Sequence, residues 1–186
     1  MFSSRSLLSC VAIAALLLST GCAIKAPQYN ASLDNIEQLK KAPASVKVGN
    51  FTVQSGTSGS IGLRGNQMDS PVGSDYAAYL ADALQKELKL AGKLDPNSKL
   101  EISGQLLKND IAAAGILTNS GEIEARFVVK NDGVQRYDQV KRADLSWDSS
   151  LLGYIAIPKA QQQYPLIVQR LLALLWGDAN FQEALK

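Results

Sequence analysis

Glu122-Ile123-Glu124-Ala125-Arg126-Phe127-Val128-Val129-Lys130-Asn131-Asp132-Gly133-Val134 decides the fold. Ile123, Ala125, Phe127 and Val129 alternate with Glu122, Glu124 and Arg126, the period of a strand with one buried and one wet face. Asn131-Asp132-Gly133 then supplies residues that tolerate positive φ, which a tight hairpin turn demands. The chain returns through Val134 to Trp147, with Tyr137, Ala143, Leu145 and Trp147 on one parity. The stretch is therefore an antiparallel hairpin.

Working outward, Leu100, Ile102, Gly104 and Leu106 alternate with Glu101, Ser103 and Gln105, another half-buried strand. Val46 to Val53 is a first strand; a bulge near Gly49 would bring Val46, Val48, Phe51 and Val53 onto the same side. Residues 55–74 are rich in glycine and serine and read as a mobile loop or a flexible hairpin. Ser74 caps a helix from Asp75 to about Ala91, whose stripe is Leu80, Leu84, Leu88 and Ala91 and whose stop is Gly92. Ile111 to Gly121 takes no assignment, and Leu151 to Ile157 reads as a strand or a loop under a core. A second helix covers Tyr164 to Trp176, with Pro165 in its first turn. Asp178 caps a short last helix, Ala179 to Leu185. The expected fold class is α+β: an antiparallel sheet of about four strands with two main helices packed on one face.

The N-terminus is an address. Arg5 precedes an apolar run, Leu7 to Leu18, of about a dozen residues, the length of a signal-peptide core. A membrane-spanning helix needs about 20. The run ends in Ser19-Thr20-Gly21-Cys22, which resembles a bacterial lipobox, with Thr20 and Gly21 as the small residues and Ser19 departing from the usual aliphatic position. That resemblance implies cleavage before Cys22 and a diacylglyceryl thioether on its sulfur, with the new amine acylated. Ala23 after the cysteine implies sorting to the outer membrane. The expected organisation is residues 1–21 as signal peptide, 22–45 as a lipidated tether, in which Leu33, Ile36 and Leu39 at spacing three can form a helical turn that docks on the domain, and 46–186 as a single α+β domain.

Composition then removes chemistries. Cys10 leaves with the signal and Cys22 carries lipid, so the mature chain has no thiol for a disulfide, nucleophile or metal. The 186 residues hold no histidine, which removes imidazole catalysis and imidazole metal sites. Losing Arg5 leaves the mature net charge at +1, one below the whole chain's +2, which does not suit a nucleic-acid binder. Gly56-Thr57-Ser58-Gly59-Ser60 lacks the Gly-Lys-Ser/Thr of a phosphate loop and the closing glycine of a nucleophile elbow. Glu122 and Glu124, like Asp144 and Asp148, read as solvated surface acids. No catalytic residue, metal ligand or cofactor is expected. The second helix is apolar over more of its surface than one sheet face needs. Leu171, Leu174, Leu175 and Trp176 are therefore either covered by unplaced neighbours or offered to a partner chain or an acyl ligand.

From Val46 onward, Leu80-Ala81-Asp82-Ala83-Leu84 to Gly92, the Leu100–Leu106 strand, and Tyr164-Pro165-Leu166-Ile167 to Leu175 with Asp178 and Phe181 resemble small envelope lipoproteins of the YajG type. A wider set of similar layout includes auxiliary lipoproteins of ABC-type lipid transport and of lipopolysaccharide assembly. The resemblance implies a non-enzymatic, outer-membrane-anchored periplasmic lipoprotein that binds or scaffolds an envelope protein or lipid. The alternative it leaves open is lipid or glycan binding as an auxiliary of envelope transport or lipopolysaccharide assembly.

Overall fold

A computed structural model describes residues 23–73 and 75–186. The signal peptide, Cys22 and Ser74 lie outside the described residues. Elements run β1 (Ala23–Lys25), α1 (Leu33–Lys40), β2 (Lys47–Val53), β3 (Ile61–Leu63), β4 (Asn66–Asp69), α2 (Tyr76–Leu90), β5 (Leu100–Ala112), β6 (Thr118–Asn131), β7 (Val134–Asp148), α3 (Gly153–Trp176) and α4 (Ala179–Ala184).

The expected single antiparallel sheet is corrected. There are two mixed sheets, a four-stranded one in the order β2-β5-β6-β7 and a three-stranded one in the order β1-β4-β3. β2 pairs with β5 in parallel, and β1 with β4 in parallel. The reason lies in α2. A helix between two neighbouring strands carries the chain back along the sheet, so the second strand starts at the same end as the first. The 15 residues of α2 return it by about 22 Å.

The hairpin reading holds at β6 and β7. Asn131 pairs with Val134, and Asp132 and Gly133 take φ of 51° and 83°. Both φ values are positive, as a type I′ turn requires. The bulge in β2 falls between Val48 and Phe51. A second shift, between Leu106 and Lys108, changes the inward parity of β5, so Ile102 and Leu106 before it and Ile111 after it all face the core.

The helices α2 and α3 pack on the sheet face carrying Ile102, Ile123, Phe127, Val129, Tyr137 and Trp147. The N-cap of α2 is Asp75, whose carboxylate accepts from the Ala78 N–H. Gly92 ends α2 with φ of 70°. In contrast to the expected break, α3 is one helix of 24 residues that contains Pro158 and Pro165. Each proline removes one backbone bond, while Ala156, Ala160, Tyr164, Ile167 and Val168 bury the face on both sides of them. Gly121 lets α3 lie close on β6, because a Cβ there would run into Ile167 Cδ1.

Residues 55–74 contain the β3–β4 hairpin, with Ile61, Leu63 and Met68 fully buried. Residues 23–45, expected as a slack tether, are built into the fold. β1 extends the small sheet, and Tyr29, Leu39 and Ala42 belong to the main core.

Candidate functional site

The N-terminal segment is held by one buried acid. Ser32 caps α1, its hydroxyl accepting from the Asn35 N–H, and so sets Asn35 on the inner side of the helix. Glu87, on α2, is fully buried. Its Oε1 accepts from the Tyr29 hydroxyl, from Asn35 Nδ2 at 2.9 Å and from the Ser32 N–H at 3.2 Å. Its Oε2 accepts from the Trp176 indole N–H at 2.6 Å. Asn35 Nδ2 also reaches the Gln169 carbonyl of α3 at 3.0 Å. A buried carboxylate is tolerated only when its charge meets donors, and here these donors join residues 29–35, α2 and α3.

Around this group lies an aromatic cluster. Tyr29 meets Tyr79 edge-on at 6.3 Å, and Tyr164 lies 4.9 Å from Tyr76 and 5.3 Å from Tyr79. The Tyr79 hydroxyl donates to the Pro27 carbonyl, and Tyr76 to that of Met68. Burial pushes the phenols of Tyr29, Tyr76, Tyr79 and Tyr164 above their ordinary value, and the Glu87 charge adds to the effect at Tyr29. These rings seal the core and do not line a groove.

At the far end of α3, Asp178 caps α4 and accepts from Tyr137 Oη at 2.7 Å and Lys141 Nζ at 2.6 Å. Burial opposes its ionisation. Hydrogen bonds from Lys141, Tyr137 and the Asn180 N–H outweigh that cost and hold its carboxyl below the ordinary aspartate value.

Of the four residues read as a partner surface, Leu171, Leu175 and Trp176 are fully buried, and Leu174 is exposed. The neighbours that cover them are α1, packed across α3, and α4. Sequence reasoning missed Glu87 because its position on the α2 stripe looks like any acid on an amphipathic helix. The signal was there, since a period-3.6 stripe that includes an acid predicts a buried charge.

The exposed apolar surface lies elsewhere. The β5–β6 connection shows Ile116 and Leu117, and the entry to α3 shows Leu151, Leu152, Tyr154 and Ile155. Leu117 is 80% exposed and Tyr154 75%. Arg64, at the β3–β4 turn, holds these loops together. Its Nε donates to the Ala113 carbonyl at 2.6 Å, Nη2 to Gly115 at 2.7 Å and Nη1 to Leu151 at 2.9 Å. The Ser149 N–H donates to the Leu117 carbonyl at 2.7 Å. Just behind, cross-strand neighbours Asn119 and Trp147 bury an amide and an indole N–H that meet no hydrogen-bond partner among the described residues.

Beside it is an open cleft of about 790 Å³ lined by Ala23, Ser58, Ser60, Asn66, Asn109 and Asp110 among others. Among the described residues Asp110 is its only ionisable side chain. Glu122 is paired with Lys108 and Arg142 at 2.9 Å each on the outer sheet face. Among the described residues no group of three or more His, Cys, Asp or Glu is placed to hold a metal, and no helix is long and apolar enough to cross a membrane.

The fold has a counterpart among solved bacterial structures. It is similar to the crystal structure of the Xanthomonas campestris protein XCC0632, of family DUF330, with a TM-score of 0.52 at 12% identity, over 83% of this chain and 95% of that one. A Caulobacter crescentus CB15 protein provisionally assigned to the lipoproteins gives 0.47 at 12% identity, over 81% and 96%. Protein CT253 of Chlamydia trachomatis gives 0.45 at 12%, over 76% and 98%. At such identity the likeness to XCC0632 extends to the fold alone, and nothing in it singles out the YajG type. No family model matches the chain, and no curated protein matches it in sequence.

Proposed function

We propose that the chain is a non-enzymatic lipoprotein, acylated at Cys22 and held at the outer membrane, whose periplasmic domain binds or scaffolds another envelope component. The observation that carries this reading is the way the chain enters the fold. β1 begins at Ala23, one residue after the lipobox cysteine, and residues 29–35 are held onto α2 and α3 through Glu87. A chain that is paired and packed from Ala23 onward suits a component positioned at a membrane rather than a diffusible binding protein. Among the described residues the open cleft is lined by hydroxyl, amide and small side chains with Ile61 and one carboxylate, Asp110.

The test is the intact mass of protein extracted from membranes, beside a Cys22→Ala variant. The expected mass is that of residues 22–186 plus acyl chains, lost in the variant, with the wild type sedimenting with outer membranes. An unacylated protein in the soluble periplasm refutes the reading.

A further inference from the structure

The apolar end and the anchor belong to the same end of the molecule. β1 runs parallel to β4 with Ala23 opposite Gln67, and β4 starts just after the Arg64–Gly65 turn. Ala23, the first residue of β1, therefore lies at that turn. The Arg64 side chain on the same turn gathers the Ala113, Gly115 and Leu151 carbonyls. The register of the large sheet agrees, because β5 ends, β6 begins and β7 ends there, with Thr118 opposite Asp148. The Asp132–Gly133 turn lies at the other end of β6, whose 14 residues span about 45 Å.

We propose that Ile116, Leu117, Leu151, Leu152, Tyr154 and Ile155 form a membrane-seating surface that enters the lipid interface beside the acylated Cys22. The proposal rests on the lipoprotein reading and adds an orientation to it. Its occupant is the bilayer for a geometric reason. The acyl chains lie in the membrane, and strand pairing starts one residue after their attachment, so no slack separates this end from the headgroups. The surface has the composition of an interfacial contact, aliphatic residues with a tyrosine at the level where an amphipathic ring is favoured. None of the six side chains carries a charge, so the contact is apolar rather than electrostatic and persists in high salt. The backbone of both loops is held by Arg64 and by the Ser149–Leu117 bond, so little ordering is lost when the side chains enter lipid.

The experiment places single thiols in the full chain, Leu117→Cys at the seating end and Val134→Cys at the opposite turn. Both positions are exposed, and acylated Cys22 is no competitor for a label. The mature lipoprotein is labelled with a nitroxide and reconstituted into phosphatidylethanolamine–phosphatidylglycerol vesicles. Collision with oxygen, which concentrates in lipid, is compared with collision with a water-soluble nickel chelate. The expected result is a several-fold higher oxygen-to-nickel ratio at 117 than at 134, unchanged by salt. Equal ratios with an acylated mass overturn the seating and leave the lipoprotein reading standing. Protection of 117 in native envelopes but not in vesicles assigns the surface to a protein and also overturns it. An unacylated mass overturns both readings.

Discussion

Replacing Glu87 tests what docks the N-terminal segment. Four donors converge on its carboxylate, three on Oε1 and the Trp176 indole on Oε2. Glutamine keeps the volume but supplies only one oxygen. If that oxygen faces Tyr29, Ser32 and Asn35, the amide nitrogen meets the Trp176 N–H, donor against donor. One unpaired buried donor costs about 1–3 kcal/mol, and bonds to a neutral acceptor are roughly half as strong as to a charged one. Glu87→Gln should therefore cost about 2–4 kcal/mol, and Glu87→Ala about 3–5, near the loss seen when one partner of a buried charged group is removed. The assay is urea unfolding of the unacylated mature chain at neutral pH, with hydrogen exchange as a second reading. Because the bonds join residues 29–35 to α2 and α3, the amides of Ile36 and Leu39 should lose protection before those of β6. Adding Trp176→Phe to Glu87→Gln removes the clashing donor, and the two changes should couple by at least about 1 kcal/mol. A cost for Glu87→Ala below about 1 kcal/mol, or a uniform loss of protection, refutes the reasoning.

Two further outcomes are expected. The phenols of Tyr29, Tyr76, Tyr79, Tyr137 and Tyr164 are all pushed above the ordinary 10.0, first by burial. A raised folded value makes stability full below the unfolded value and lost as pH climbs above about 10. Phenolate absorbance from these five should thus appear together with unfolding in an alkaline titration, and their ionisation while circular dichroism stays native would contradict it. In the core, Gly121→Ala drives a methyl group into Ile167 Cδ1 and should cost about 1–3 kcal/mol in urea. Gly62→Ala, which meets nothing within 4 Å, serves as the near-neutral control.

The strands and the helix stripes were legible because each is a local property. Alternation in Glu122–Lys130 and the Asp132–Gly133 turn depend on side-chain period and on φ, both of which belong to neighbouring residues. The first helix was found from its stripe, and Gly92 from its place after it. The same stripe held Glu87 in plain view, but its meaning depends on Tyr29, Ser32, Asn35 and Trp176, which lie far from it in sequence. The prolines misled: Pro158 and Pro165 suggested a boundary, and packing on both sides of them sustains α3.

By itself the sequence determined the lipobox pattern at Cys22, the absence of histidine, the half-buried strands and the hairpin between Val129 and Val134. Only the tertiary structure decided that β2 and β5 run parallel, that residues 23–45 belong to the fold, and that Leu171, Leu175 and Trp176 are covered. It also decided that Ile116, Leu117, Leu151, Leu152, Tyr154 and Ile155, all exposed, gather at the end where β1 begins. The physical reason is range. Periodicity, capping and turn conformation are set by atoms a few residues apart, whereas strand direction, burial of a helix face and convergence of loops on Arg64 are set by which distant segments meet.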